Sequence, residues 1–530
     1  MSRSIKWLSL LVLLLLGCVL SPTQADEAQG GMIVEGVVGD FTSFDPLFES
    51  NAITKLLFPD FIGVDPDTGW FQKDAPNALV TDWTVSDDGR VYTFKLRDDW
   101  RWSDDTPITS ADVLYGWEAI NSGVIDTLLT YLKDYYILKV EAPDAMTVRI
   151  TFWGDNCDLL HFASALPVLP SHILPKDFAA LNTSEFNSKP SVSGRYQVSK
   201  VVPHERVVLR PNPDWAGGIA ATDYTYQFES DQTQLLKDFT AGKLDIITGQ
   251  ALETYAELRN NPNVNRYTFP GNTWDFLALN EADPILGDVH VRQALAKAID
   301  VDTLIKEDAA GEATRMASAI IPSSWAYDHD LQPIPYDLTE AESLLDKAGW
   351  VDDDHNPSTP RVAKDANYVV DGTPFKFTLY ADQVSSRQSS VAKHIQEQLG
   401  LLGIQVDYEA LDTNALSDHL NKLTYDAALF TWRSGYPDNP DFETMFDFRF
   451  YDNPSVSKEL NAQASSLPGC DVQARAKIYG EIQELLQQDL PFIWLYSLNE
   501  MYAAQKTIKG FDPRPNQLHW NIEKWSVTQP

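Results

Sequence analysis

Asp88-Gly-Arg-Val-Tyr-Thr-Phe-Lys-Leu-Arg97 leads into Trp100-Arg-Trp-Ser-Asp-Asp-Thr-Pro107 and then Ile108-Thr-Ser-Ala-Asp-Val113. Asp88-Gly89 is a turn signal. Tyr92, Phe94 and Leu96 alternate with polar residues, which predicts a half-buried strand. Thr109 or Ser110 supplies a cap for a helix opening with Ala111, Asp112 and Val113. The stretch therefore encodes a strand followed by a capped helix, and nothing in it is catalytic.

The same alternation continues along the chain. Residues 32–38 read as an opening strand, followed by a loop over 42–51 and helical apolar spacing from Ile53 to Phe61. Residues 146–152, 193–198, 205–210 and 244–247 read as strands, and Leu235 to Phe239 as a helix stopped by Gly242. Val289 to Ile299 is a helix capped by Asp288, and Glu340 to Ala348 a helix ended by Gly349. Phe375 to Tyr380, Ser389 to Leu402 and Ile404 to Tyr408 read as strand, helix and strand. Ala428 to Phe430 reads as the end of a buried strand, Ala474 to Leu486 as a long amphipathic helix, and Phe492 to Tyr496 as the strand after it. Strands alternating with helices predict an α/β fold.

At 530 residues the chain is long enough for two or three domains. Its net charge of −35 excludes a phosphate backbone as partner, because nucleic acid needs a basic face. The acidity suits a free-standing extracytoplasmic protein. The N-terminus carries an export address: Arg3 and Lys6 precede an apolar run, Leu8 to Leu16, too short to span a bilayer. Two cleavage readings stand. Leu15-Leu16-Gly17-Cys18 resembles a lipobox with Cys18 lipidated, and Thr23-Gln24-Ala25 a signal-peptidase site. Residues 19–31 then form a flexible tether. Cys157 and Cys470 remain, either as a disulfide or as two thiols, since export permits the bond and spacing does not require it.

Enzymatic signatures are missing. No two of the nine His are four apart, no Gly-x-Ser-x-Gly elbow occurs, and no phosphate-cradling Gly-x-x-x-x-Gly-Lys. Asp352-Asp-Asp-His-Asn356 has the alternating carboxylates of a calcium loop. It has Pro357 where that loop needs Gly and Ala363 where it needs Glu, so it reads as a solvated acidic turn. No metal and no cofactor are expected.

Several ordered motifs together resemble the family 5 extracellular solute-binding proteins, receptors of ABC importers. They are the opening stretch, Gly194-Arg-Tyr196, Asn212-Pro-Asp-Trp215, Ala241-Gly-Lys-Leu-Asp245, Asn280 with Asp288 and Val291-Arg-Gln-Ala-Leu-Ala296, and Tyr336-Asp337 with Ala348-Gly-Trp350. The resemblance implies the two-lobed periplasmic-binding-protein fold, of type II or cluster C kind, with an extra subdomain in lobe I. Its expected division is a signal peptide with lipobox over 1–18, lobe I over 32–270, lobe II over 271–495, and a C-terminal return to lobe I over 496–530. Crossovers near Arg266–Asn280 and Leu495–Ala504 would form the hinge. It also implies a monomer that binds an oligopeptide or related oligomeric solute and hands it to a membrane permease, touching the membrane only through its lipid anchor.

The expected ligand loop leaves the strand ending at Phe430. In the family's oligopeptide receptors it carries Trp, two residues, Asp, then Tyr, the Asp pairing with the peptide's α-ammonium. Here Trp432, Arg433 and Ser434 are followed by Gly435 and Tyr436, with Asp438 three residues on. A desolvated ammonium needs a paired charge. Gly435 therefore weakens the peptide reading and favours a neutral ligand, such as an oligosaccharide, on flat aromatic platforms. Trp274, Trp325 and Trp432 are the platform candidates, with core packing as the alternative for each. Glu49, Ser50 and Asn51 occupy the position from which lobe I would reach ligand, or else form a helix-capping loop. A secreted hydrolase of an oligomer is the reading from a different class.

Overall fold

The computed structural model describes residues 31–49, 51–215, 222–249, 251–434, 440, 455–467 and 470–528. Its architecture is mixed α/β, as the alternation predicts. An eleven-stranded sheet runs through most of the described chain. Its order is Gln405–Leu411, Lys376–Asp382, Ala427–Arg433, Val264–Leu279, Phe492–Gln505, Ile246–Ile247, Met32–Val38, Asp223–Glu229, Arg206–Pro211 and Tyr196–Val202, with Ala313–Arg315 pairing the long strand Phe492–Gln505 off this path.

The middle of the sheet is the antiparallel pair Val264–Leu279 and Phe492–Gln505, of 16 and 14 residues. These two strands separate two arms of the sheet. In the first arm Ile246–Ile247 pairs with Phe492–Gln505, and Met32–Val38 lies beyond it. In the second Val264–Leu279 pairs with Ala427–Arg433. Their pairing slips between Pro270 and Thr273, leaving Gly271 and Asn272 without ladder partners. A bulge of this kind bends the strand locally. Only glycine fits at 271, because a Cβ there would lie 2.2 Å from the Leu498 carbonyl oxygen.

Apolar cores form on both faces of the crossing strands, as burial of both faces requires. Leu277 and Leu279 point into one core with the helices Val289–Ala298, Leu338–Lys347 and Ser386–Gly400. Trp274, Phe276 and Ala278, alternating with them, point into another with Ile478, Tyr479, Ile482 and Leu486 of the helix Val472–Asp489. The largest core gathers residues from Ile33 to Ile246 with the tail from Tyr502 to Trp525. A small fourth core, around Leu235, Phe239, Leu244 and Tyr255, backs the first strand.

The stretch from Asp88 to Val113 has a mechanical role in the largest core. Gly89 takes a left-handed φ of +72°, and Val91–Leu96 is a central strand of a separate four-stranded antiparallel sheet. Thr109 caps Ser110–Ser122. Asp112, almost fully buried, ties the motif together: it accepts from Thr109 N (2.8 Å), Trp102 Nε1 (3.3 Å), Ser171 N (2.9 Å) and Ser171 Oγ (2.7 Å). The acidic stretch Asp352–Asn356 forms a turn in which Asp354 accepts from the Asn356 N–H, 3.1 Å.

Candidate functional site

A cavity of about 840 Å³ opens beside the crossing strands. One wall is the helix Ala52–Leu57. Asn51 caps it, accepting from the Ile53 and Thr54 N–H groups at 3.0 Å, and its Lys55 faces the cavity. The opposite wall is Asn499 to Tyr502 of the strand Phe492–Gln505, backed by Asn516 to Trp520 of the tail. Arg195 braces that tail by donating to the carbonyls of His519 and Trp520.

Glu500 is the carboxylate at the centre of this wall. It accepts from the Tyr502 hydroxyl and from Asn516 N–H, 2.7 Å. Burial pushes its carboxyl above the ordinary range, while Tyr502, Asn516, then Arg433 and Lys55, draw it back down. Charges of both signs thus meet where the strands cross. Glu35, on the first strand, is a second enclosed acid in the cavity wall. It accepts from Thr248 Oγ1 at 2.6 Å and Tyr224 at 2.8 Å, with His519 at 3.3 Å.

Of the residues expected from sequence, Asn51 lines this cavity. Glu49 is half-buried in the preceding loop and accepts from Thr42 Oγ1. Ser434 is fixed to the bulge: its N–H donates to Asn272 O (2.8 Å), and Asn272 Nδ2 donates to its carbonyl (3.0 Å). Arg433, its neighbour, is exposed at the end of its strand, within electrostatic reach of Glu500. Trp274 has no exposed surface. It packs with Phe276 and Trp494 and donates to Ser434 Oγ, so it takes the core alternative and offers no open ring face. Trp432 is half-buried against the same core, cross-strand from Trp274. Trp325 packs against that core as well and does not line the cavity, its ring 4.9 Å from that of Trp70 and 5.0 Å from the Arg475 guanidinium. Ser50, Gly435, Tyr436, Asp438 and Cys18 lie outside the described residues.

Sequence reading passed over Lys55, Glu500 and Tyr502. The signal for Glu500 was present: it is the one charged residue in the mainly apolar run from Phe492 to Ala504. Cys157 and Cys470, left open between bond and thiols, are a disulfide with Cα atoms 5.4 Å apart.

Among the described residues no helix is long and apolar enough to cross a membrane, and no group of three or more His, Cys, Asp or Glu is arranged to hold a metal. The family model for bacterial extracellular solute-binding proteins, family 5 middle, matches residues 75–452. The chain is 26% identical over 528 residues to the oligopeptide-binding protein AppA of Bacillus subtilis, covering 94% of this chain and 92% of that one. It is 24% identical to the probable D,D-dipeptide-binding periplasmic protein DdpA of Escherichia coli, covering 96% and 97%. Among solved structures, HbpA2 of Haemophilus parasuis superposes with a TM-score of 0.81 at 18% identity, covering 94% and 100%. AppA of Bacillus subtilis in complex with a nonapeptide superposes with 0.67 at 23% identity, covering 94% and 99%. The chain belongs to family 5 of the bacterial extracellular solute-binding proteins.

Proposed function

We propose that this protein is the extracytoplasmic receptor of an ABC importer for short peptides. It takes its ligand beside the two crossing strands and delivers it to a membrane permease. The observation that carries the ligand class is the cavity beside Glu500, of about 840 Å³, within the range that holds a small oligomer. Its wall offers Lys55 and Glu500, with Arg433 in electrostatic reach of Glu500, and a peptide presents both an ammonium and a carboxylate. Relatives named for oligopeptide, dipeptide and glutathione binding favour the same class. That support outweighs the argument from Gly435, because Asp438 or Glu500 can supply the negative charge that Gly435 lacks.

The two halves, divided near 270 and 495 as the resemblance implies, bend at the bulge of Gly271 and Asn272. The motion is a hinge biased by ligand. The protein is anchored through lipid at Cys18, so Cys18→Ser should move it from the membrane to the soluble fraction. Membrane association unchanged by that substitution would refute the anchor.

Calorimetry with tri- to pentapeptides, their N-acetylated forms, and di- to tetrasaccharides tests the ligand class. Free peptides should bind, N-acetylation should weaken them, and sugars should give no heat. Saccharide binding without peptide binding would overturn the peptide reading. Turnover of labelled peptides, lost on mutating a cavity carboxylate, would replace the receptor with a hydrolase.

A further inference from the structure

The disulfide Cys157–Cys470 joins two cores that the crossing strands already connect. Cys157 precedes the helix Leu159–Ser164, whose Leu159, Phe162 and Ala163 belong to the largest core. Cys470 precedes Val472–Asp489, whose apolar face belongs to the core around Trp274. That helix leads through Leu490 and Pro491 into the strand Phe492–Gln505.

The bond does not stand alone. Cys157 N–H donates to Ser465 O at 2.7 Å. Asp158 pairs with Arg475 at 2.8 Å, both side chains more than nine-tenths buried. Arg475 also donates to Ala464 O at 2.9 Å and lies over Trp325, whose ring meets Trp70 from the first half. A covalent bond, a buried ion pair and a ring contact thus connect the two halves away from the strands that would serve as hinge.

We propose that Cys157–Cys470 is a clasp between the two halves, which sets how far this receptor can open and slows ligand exchange. Two crossing strands alone leave a rotation about them. A third link off that line removes the rotation that would part Leu159–Ser164 from Val472–Asp489. Ligand then enters and leaves through a narrowed opening for as long as the bond is intact. This inference rests on the reading as a hinged receptor, but its primary test needs no ligand.

Small-angle scattering of the unliganded full-length protein provides that test, before and after reduction with a phosphine and again with Cys157→Ser/Cys470→Ser. Peptide mapping should first find the two cysteines joined. The radius of gyration should be small in the oxidised protein and rise on reduction and in the double variant, with far-UV circular dichroism unchanged. Asp158→Asn, which keeps the bond, should stay compact. The exchange rate of a fluorescein-labelled tetrapeptide should then rise about tenfold or more without the bond. Free thiols on mapping, or an unchanged radius of gyration after reduction of the still-folded protein, would overturn the clasp. Scattering that supports it while the tetrapeptide fails to bind would leave the clasp standing and remove the peptide reading instead.

Discussion

Asp45 sits with no exposed surface in the loop before Asn51, and its Oδ2 has no hydrogen-bond partner. Burial pushes its carboxyl up to about 6, against a bond from Leu47 N–H that lowers it. The folded state therefore holds a proton on Asp45 that the unfolded state has lost, over the interval between the ordinary value of 3.8 and about 6. Stability from this group is fully present below pH 3.8 and declines as pH rises through 6. A shift of this size corresponds to about 3 kcal/mol. Asp45→Asn keeps the acceptor for Leu47 and cannot ionise. Relative to wild type, its unfolding free energy in urea should gain from pH 4 to about pH 6 and level off by pH 7. A difference that stays flat across that range would show that Asp45 is ionised in the fold. Asp112 differs from Asp45 in that both of its oxygens are bonded, to Thr109, Trp102 and Ser171. Asp112→Ala strands the Trp102 and Ser171 donors in the interior and should cost about 3 kcal/mol or more in the same measurement.

At the scale of elements, the helix Ala52–Leu57 joins sequence to site most directly. Its start was legible, because Asn51 before an apolar run is a cap, and the structure shows that cap. What holds it against the cavity was not, because the partner is distant in sequence. Gly194 donates to Leu57 O at 2.7 Å, and a Cβ on it would come within 2.4 Å of the Leu56 carbonyl oxygen. Gly194→Ala should therefore push the helix outward, cost about 1–3 kcal/mol of overpacking, and weaken peptide binding through the displaced Lys55. Equal peptide affinity in this variant, measured by calorimetry, would detach the helix from the site. The same logic sorts the rest of the reading. Helices from Asp288, Glu340, Ser389 and Ala474 were found from periodicity and caps, which are local signals. The strand Val264–Leu279 was read as a crossover and not as 16 residues of ladder. Its first half has no alternation, and its second half is buried on both faces, so no period of two exists to detect. Trp274 was ambiguous for that reason. An aromatic in a doubly buried strand and an aromatic facing a ligand have the same local sequence.

For the whole molecule, the continuous sheet and the clasp bear on how it unfolds. Chains of this size with several cores often melt in steps, one core at a time. Here Phe492–Gln505 contributes Tyr502 to the largest core, Met501 and Ala503 to the smallest, Leu495 and Tyr496 to the second, and Phe492 and Trp494 to the third. No core can lose that strand without exposing apolar surface in the others. The disulfide adds a link over a sequence separation of 313 residues, and closing so long a loop restricts the unfolded chain strongly. Scanning calorimetry of the oxidised protein should therefore show one transition. A peptide bound at about 100 times its Kd should raise that transition by the equivalent of about 2.7 kcal/mol without splitting it, because Asn499 to Tyr502 of the strand that all four cores share line the cavity. After reduction, the midpoint should fall, and the peptide-induced increment should persist. Two resolved transitions in the oxidised protein, only one of them moved by peptide, would mean that the cores melt independently and that the crossing strands do not couple them.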